Sequence, residues 1–237
     1  MKNPYTAEGA EDMISPCLIY YEDGIRKNIE KAIQIAGSVE RLWPHVKSHK
    51  SIEMVKLQLE YGICKFKTAT IAEAEMAAMA GAKQVILAYP LIGPNMARFV
   101  HLSKAYPDTI FYGVEDDLGQ LEKLSEVCKE LDFEMPVLID VNMGMNRTGA
   151  AIKDLDQMYR AAAKFSGIRM SGFHCYDGNH NDREFSVRNQ KVLETDRQVE
   201  KVISRLKADG FSCEIVVAGG TPSFPCHARN TNWYLSP

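Results

Sequence analysis

Short runs of β-branched and aromatic residues alternate with longer stretches of helical spacing along the whole of this chain. That alternation constrains the fold more than any other feature. The strand-like runs are CLIYY (17–21), LWPHVKSH (42–49), KFKTA (65–69), QVILAYP (84–90), TIFYGV (109–114), PVLIDVN (136–142), MSGFHCY (170–176) and EIVVAGG (214–220). Between them lie GIRKNIEKAIQIAG, IEMVKLQLEYG, IAEAEMAAMAGA, NMARFVHLSKAY, LGQLEKLSEVCKEL, LDQMYRAAAKF and RNQKVLETDRQVEKVISRLKADG. Each carries apolar residues at helical spacing, and several stop at a glycine suited to a helix C-cap. Strand, helix, strand in this rhythm predicts parallel strands joined by crossover helices. The length of 237 residues is close to the roughly 250 typical of a (β/α)₈ barrel. No linker, low-complexity tract or further repeat divides the chain, so one α/β domain is expected. The strand count leaves one point open. Either 17–21 closes the barrel, or it belongs elsewhere and WYLSP (233–237) is the entry to the last strand.

Charge and composition exclude several kinds of partner. Twenty-eight basic residues stand against 31 acidic ones, spread along the chain. This leaves no basic footprint for nucleic acid and no polybasic patch for a membrane. No run of 18 apolar residues occurs, and the N-terminus MKNPYTAEGAEDMISP is polar, so a cytoplasmic location is expected. Six cysteines are scattered singly without a CxxC pair, which favours reduced thiols over disulfides or a zinc cluster.

In a parallel barrel the chemistry sits at the C-terminal ends of the strands. Strand 42–49 ends in HVKSHK, and period-two alternation puts His45, Lys47 and His49 on one face. If that face turns into the barrel, Lys47 is desolvated and has cationic imidazole neighbours available. Both conditions lower an amine pKa and make it a Schiff-base nucleophile. The plainer alternative is a lysine that snorkels to solvent. Strand 136–142 runs into DVNMGMNRTG, placing Asp140, Asn142, Asn146 and Arg147 near the mouth, where the planar fork of Arg147 suits an anionic oxygen. Strand 170–176 delivers His174 and Tyr176 to one face, and DGNHND adds Asp177, His180 and Asp182. An aromatic ring there can stack on a planar ligand or simply belong to the core. VVAGGTPSF supplies Gly219, Gly220, Thr221 and Ser223, whose amides and hydroxyls can converge on a phosphate or form an ordinary turn. One lysine, one arginine, one stacking aromatic and one phosphate cup, all at strand ends, describe a pocket for pyridoxal 5′-phosphate.

WPHVKSHKS, ATIAEAEMAAMAGA with VILAYP, DVNMGMNRTG, GFHCYDGNH and VVAGGTPSF, in this order and over nearly the whole chain, resemble the D-threonine aldolase and D-serine dehydratase family. These are fold-type III pyridoxal-phosphate enzymes related to alanine racemase. The resemblance implies an alanine racemase N-terminal domain-like barrel over 23–237, incomplete at its last strand. It assigns residues 1–22 to a segment associated with a C-terminal β domain that lies outside the chain. Lys47 would form the Schiff base with the cofactor, with Lys50 a bystander. Arg147 would face the cofactor's phenolic oxygen, and Tyr176 would lie against the pyridine ring. Gly219, Gly220, Thr221 and Ser223 would form part of the phosphate cup, where Pro222 removes one backbone donor. His180 is the nearest match to the histidine placed beside the substrate hydroxyl. A divalent metal, manganese or zinc, belongs to the family's C-terminal domain, and no metal ligand is assigned within 1–237. Ser236 stands where alanine racemase has an arginine at the ring nitrogen, which weakens a racemase reading.

The activity so implied is a lyase acting on D-β-hydroxy amino acids. It is most like D-threonine aldolase, cleaving Cα–Cβ to glycine and an aldehyde, in an enzyme that pairs as a homodimer. The alternatives are D-serine dehydratase-like elimination, an amino acid racemase, and a non-catalytic pyridoxal-phosphate homeostasis barrel.

Overall fold

A computed structural model describes residues 6–237. Its parallel strands run in chain order around one seven-stranded sheet: β1 (Lys65–Thr68), β2 (Gln84–Leu87), β3 (Ile110–Glu115), β4 (Met135–Asp140), β5 (Ile168–Cys175), β6 (Ile215–Ala218) and β7 (Tyr234–Leu235). The helices are α1 (Glu22–Ala36), α2 (Ile52–Glu60), α3 (Ile71–Ala80), α4 (Asn95–Ala105), α5 (Leu118–Glu130), α6 (Leu155–Ala162), α7 (Phe185–Ala208) and the short α8 (Phe224–His227). Local chemistry sets several of their ends. Ser51, Thr70 and Asp117 cap α2, α3 and α5 by accepting from Met54, Glu73 and Gln120 backbone N–H groups. Gly37 and Gly81 end α1 and α3 in the left-handed conformation.

The sheet closes on itself through residues 42–45. Leu42 bridges Leu235 and His45 bridges Lys67, both in parallel. The Trp43 N–H donates to Leu235 O at 2.7 Å and the Lys67 N–H to Pro44 O at 2.8 Å. The expected barrel is therefore present, with 42–45 as the stave between β7 and β1. The place beside β7 is taken, so 17–21 has no strand to pair with. It forms none and leaves Leu18 82% exposed as it leads into α1. Of the expected segment 1–22, residues 1–5 lie outside the described residues. The expected strand 42–49 is also shorter than its sequence suggests: Val46–Ser48 turns into a 3₁₀ helix, capped by His45 Nδ1 accepting from the Lys47 N–H at 3.2 Å.

Outside the barrel, strand residues such as Phe66, Val85, Phe111, Val137 and Phe173 pack against the helices in the larger core. Inside it, Trp43, Ile86, Tyr112, Val114, Leu138, Ile215 and Val217 form a second core that fills the lumen. Trp43 anchors this plug. Its Nε1–H donates to Phe66 O at 2.8 Å, and its ring meets Tyr112 and Tyr234 edge-on at 5.7 and 5.4 Å.

One irregularity decides what lies above the plug. Val137 pairs with Met170 but Leu138 pairs with Gly172, so Ser171 is an extra residue in β5. Met170 faces the helices, and uninterrupted alternation would send His174 and Tyr176 the same way. The bulge reverses the phase: Phe173 and Cys175 join the outer core, and His174 turns inward beside Asp140.

Candidate active site

Inward residues at the C-terminal ends of β1, β4 and β5 form a buried polar layer. Asp140 Oδ1 lies 2.6 Å from His174 Nδ1, and His174 Nε2 lies 3.4 Å from Lys67 Nζ. Burial would raise the Asp140 pKa, but the His174 hydrogen bond and the Lys67 charge hold it below the usual carboxylate value. An ionised Asp140 accepts, so His174 carries its proton on Nδ1 and offers Nε2 as acceptor to Lys67. Burial and the Lys67 charge keep the His174 ring neutral. Lys67 is 3% exposed, and its pKa is lowered to about 7 by burial and then by the charge of Lys47, with Asp140 and Asp177 opposing.

Tyr176 sits over this layer and gathers the predicted site. Lys47 Nζ and Lys67 Nζ are each 5.6 Å from its ring centroid, and Arg147 Cζ is 5.1 Å away. Ala88, Asp140, Met143, Arg147, His174 and Tyr176 line one small depression here. The ring rests against the glycine turn. A Cβ on Gly220 would stand 2.9 Å from Tyr176 Cε2, so no other residue fits without moving the ring.

Two expectations about the lysine are corrected. Lys47 is exposed on the 3₁₀ turn rather than desolvated on an inward strand face. Its neighbour His45 is not cationic, because burial and the charges of Lys67 and Lys47 hold its pKa well below the ordinary value. The desolvated amine is Lys67, which the sequence reading passed over. Its signal was the alternation of KFKT, which sets Lys65 and Lys67 on the face opposite Phe66. Lys50 is tied to Glu73 by an ion pair.

The glycine turn is built more tightly than a cup with four open contacts. The Gly219 N–H donates to Cys175 O, and the Gly220 N–H to Ser223 Oγ at 3.0 Å. Ser223 is buried and gives its hydroxyl to Asp177. Among the described residues this leaves Thr221 with its backbone N–H and hydroxyl free. Thr221 is exposed and lines a groove with His45, His49, Phe224 and Pro237. Ser236 is buried at the end of β7, its N–H donating to Ala218 O at 2.9 Å.

Behind the turn lies a network that sequence reasoning did not assemble. Asp177, fully buried, receives His227 Nε2 at 2.9 Å and lies 3.3 Å from His180 Nδ1. His227 Nδ1 reaches Asp196 at 3.0 Å. Despite burial, these two carboxylates raise the His227 pKa to about 9. Burial would raise Asp177, but its bonds to His180, His227 and Ser223 hold it far below the usual range. The structure thus draws His180 inward as a buried partner of Asp177. His227 and Asp196 escaped notice because 221–237 reads as a polar loop, whereas it folds into α8 and brings His227 against α7.

Among the described residues no group of three or more His, Cys, Asp or Glu side chains is arranged to hold a metal ion, and no helix is long and apolar enough to cross a membrane. All six cysteines are free.

Residues 22–234 match the family described as alanine racemase, N-terminal domain. The 3-hydroxy-D-aspartate aldolase of Paracoccus denitrificans (strain Pd 1222) is 30% identical over 219 residues, covering 89% of this chain and 55% of the relative. The D-threonine aldolase of an Arthrobacter species is 23% identical over 188 residues, covering 77% of this chain and 48% of the relative. The chain thus spans about half the length of the curated relatives it matches. Among solved structures, D-threonine aldolase from Filomicrobium marinum superposes with a TM-score of 0.87 at 26% identity, over 96% of this chain and 62% of that one.

Proposed function

Because the chain belongs to the alanine racemase N-terminal domain family, we propose that it forms the cofactor-binding barrel of a pyridoxal-phosphate-dependent lyase. Its substrates would be D-β-hydroxy amino acids, cleaved in the manner of an aldolase. The observation that carries this reading is the convergence of Lys47, Lys67 and Arg147 on the Tyr176 ring at the mouth of the barrel. Three basic side chains around one aromatic face suit a flat, anionic, phosphorylated ring. Gly220 fits as well, since it lets the Tyr176 ring lie against the glycine turn.

In this reading Lys47, exposed at the mouth, is the amine that would hold the cofactor through its aldehyde. Tyr176 supports the ring by stacking. Arg147 is free to pair with the ring oxygen or the substrate carboxylate through its fork. The Thr221 N–H and hydroxyl would hold the phosphate. Gly219, Gly220 and Ser223 shape the turn that presents them, and His180 helps fix Asp177 behind it. When bound, the cofactor supplies an electron sink for the bond broken at Cα.

The test begins with the purified protein and added pyridoxal phosphate. Visible absorption should appear, and borohydride reduction should fix the label on the peptide carrying Lys47. Glycine should then form from D-threonine or D-3-hydroxyaspartate, assayed with and without a divalent metal. A 2-oxo acid with ammonia in place of glycine would make the protein a dehydratase, a label on another lysine would remove the role of Lys47, and neither absorption nor label would remove the cofactor assignment. Gly220→Ala should keep the thermal midpoint close to wild type. It should weaken cofactor binding about tenfold, the equivalent of losing roughly 1.4 kcal/mol of ring contact, as read by absorbance titration.

A further inference from the structure

Lys67 has no place in the chemistry described so far, yet its surroundings are unusual for a lysine. It rises from β1, the stave next to the segment that carries Lys47, and is almost wholly buried. Its hydrogen-bond partner is a neutral imidazole, His174 Nε2, at 3.4 Å, and among the described residues no carboxylate lies within ion-pair distance of it. Asp140 is one residue further along the chain of contacts, bonded to the other side of that imidazole. A buried ammonium so placed keeps only part of its charge compensated, and such a group gives up its proton readily.

The charges facing Lys67 come from every neighbouring element. Lys47 on the 3₁₀ turn and Arg147 on the loop after β4 repel its proton. Asp140 at the end of β4 and Asp177 after β5 attract it. His45, whose own pKa is depressed by Lys67, and His174 are both neutral. The balance leaves the amine titrating at about 7 in the empty site. One added anion beside the Tyr176 ring, 5.6 Å from this nitrogen, shifts that balance toward the ammonium.

Resting on the pyridoxal-phosphate reading above, we propose that Lys67 is the proton-linked anchor of the site. It takes one proton from solvent as the anionic phosphorylated ring settles against Tyr176, and returns it when the ligand leaves. His174, held by Asp140, is the positioning residue that aims the amine. Cofactor capture is then coupled to pH by linkage. Above pH 7 the binding-competent ammonium form falls about tenfold per pH unit, and apparent affinity falls with it. Lys47 provides the covalent attachment and Lys67 the charge beneath it, so the two lysines divide the work between mouth and floor.

The probe that separates these roles is pyridoxine 5′-phosphate, which has the ring and phosphate but no aldehyde for Lys47 to attack. Calorimetric titrations at pH 8 in buffers of different ionisation enthalpy report the protons taken up on binding. Wild type should take up about one proton per site, since an amine titrating near 7 starts mostly neutral there. Lys67→Met and Lys67→Arg should both lose that uptake, and Lys67→Arg should also flatten the fall in affinity between pH 7 and 9. Lys47→Arg, which keeps the charge beside Lys67 but carries no amine for an aldehyde, should keep the uptake. Circular dichroism confirms that each variant is folded, and two variants, one neutral and one permanently cationic, guard against a merely structural effect. Uptake that persists unchanged in either Lys67 variant, or is missing in wild type that binds the probe, overturns this proposal alone. Wild type that neither binds the probe nor retains pyridoxal phosphate after reduction overturns the cofactor reading together with it.

Discussion

Lys47→Ala is expected to abolish borohydride-stable attachment of pyridoxal phosphate while leaving its reversible binding in place. Lyase activity should fall by at least about a thousandfold, as for loss of a covalent catalyst. Separating attachment from binding matters, because most of the remaining contacts do not depend on this amine, and loss of its charge favours the protonated form of Lys67. Tyr176, Arg147 and the turn at Thr221 stay as they are. Lys47 itself stands exposed on the 3₁₀ turn, and among the described residues its side chain makes no hydrogen bond to the barrel, so its truncation should not lower the thermal midpoint. Absorbance in the visible and mass spectrometry of the reduced protein distinguish the outcomes. A covalent label appearing on Lys67 in this variant would show that the deeper amine can reach the aldehyde.

The second large effect is on stability. His227→Leu removes the one cation between two buried carboxylates, Asp177 at 2.9 Å and Asp196 at 3.0 Å. Breaking one partner of such a buried set costs about 3–5 kcal/mol, because the remaining charges are left uncompensated. One oxygen of Asp196 already lacks a hydrogen-bond partner, so this cluster has nothing in reserve. The pH dependence gives the assignment a signature. The fold raises the His227 pKa from 6.5 to about 9, so it holds the protonated ring. That contribution is complete below 6.5 and is lost as pH rises through about 9. Asp177 has the opposite sense: its pKa is depressed, so its contribution is present above 3.8 and fades as acid titrates the folded carboxylate. Urea midpoints of wild type should therefore decline between pH 6.5 and 9, and the gap to His227→Leu should narrow over the same interval. The cofactor turn should loosen too, since Asp177 holds Ser223 and Ser223 holds the Gly220 N–H.

Much of this architecture was legible in the chain. Helices α1 to α7 announce themselves by apolar spacing together with caps such as Thr70 and Gly81, because both signals act within one or two turns of backbone. α8 did not, being four residues with a proline in a stretch rich in loop formers, held in place by the contact of His227 with Asp196 on α7. CLIYY has the composition of a strand, but composition cannot supply a neighbour to pair with, and 42–45 occupies the only edge that would serve. The predicted residues Lys47, Arg147 and Tyr176 do meet, since each follows the C-terminal end of a stave and the barrel brings those ends to one mouth.

The sequence by itself determined the order of strands and helices, the family motifs and the residue types available at the mouth, because these depend on local periodicity and side-chain chemistry. Which of those residues face inward was decided by the tertiary structure. An extra residue at Ser171 reverses the alternation of β5 and turns His174 toward Asp140 and Lys67. The 3₁₀ turn at Val46–Ser48 lifts Lys47 into solvent, while Lys67, four residues before an ordinary-looking helix, is left as the buried amine. Burial and charge compensation are sums over neighbours from distant parts of the chain, so they exist only once the barrel has closed.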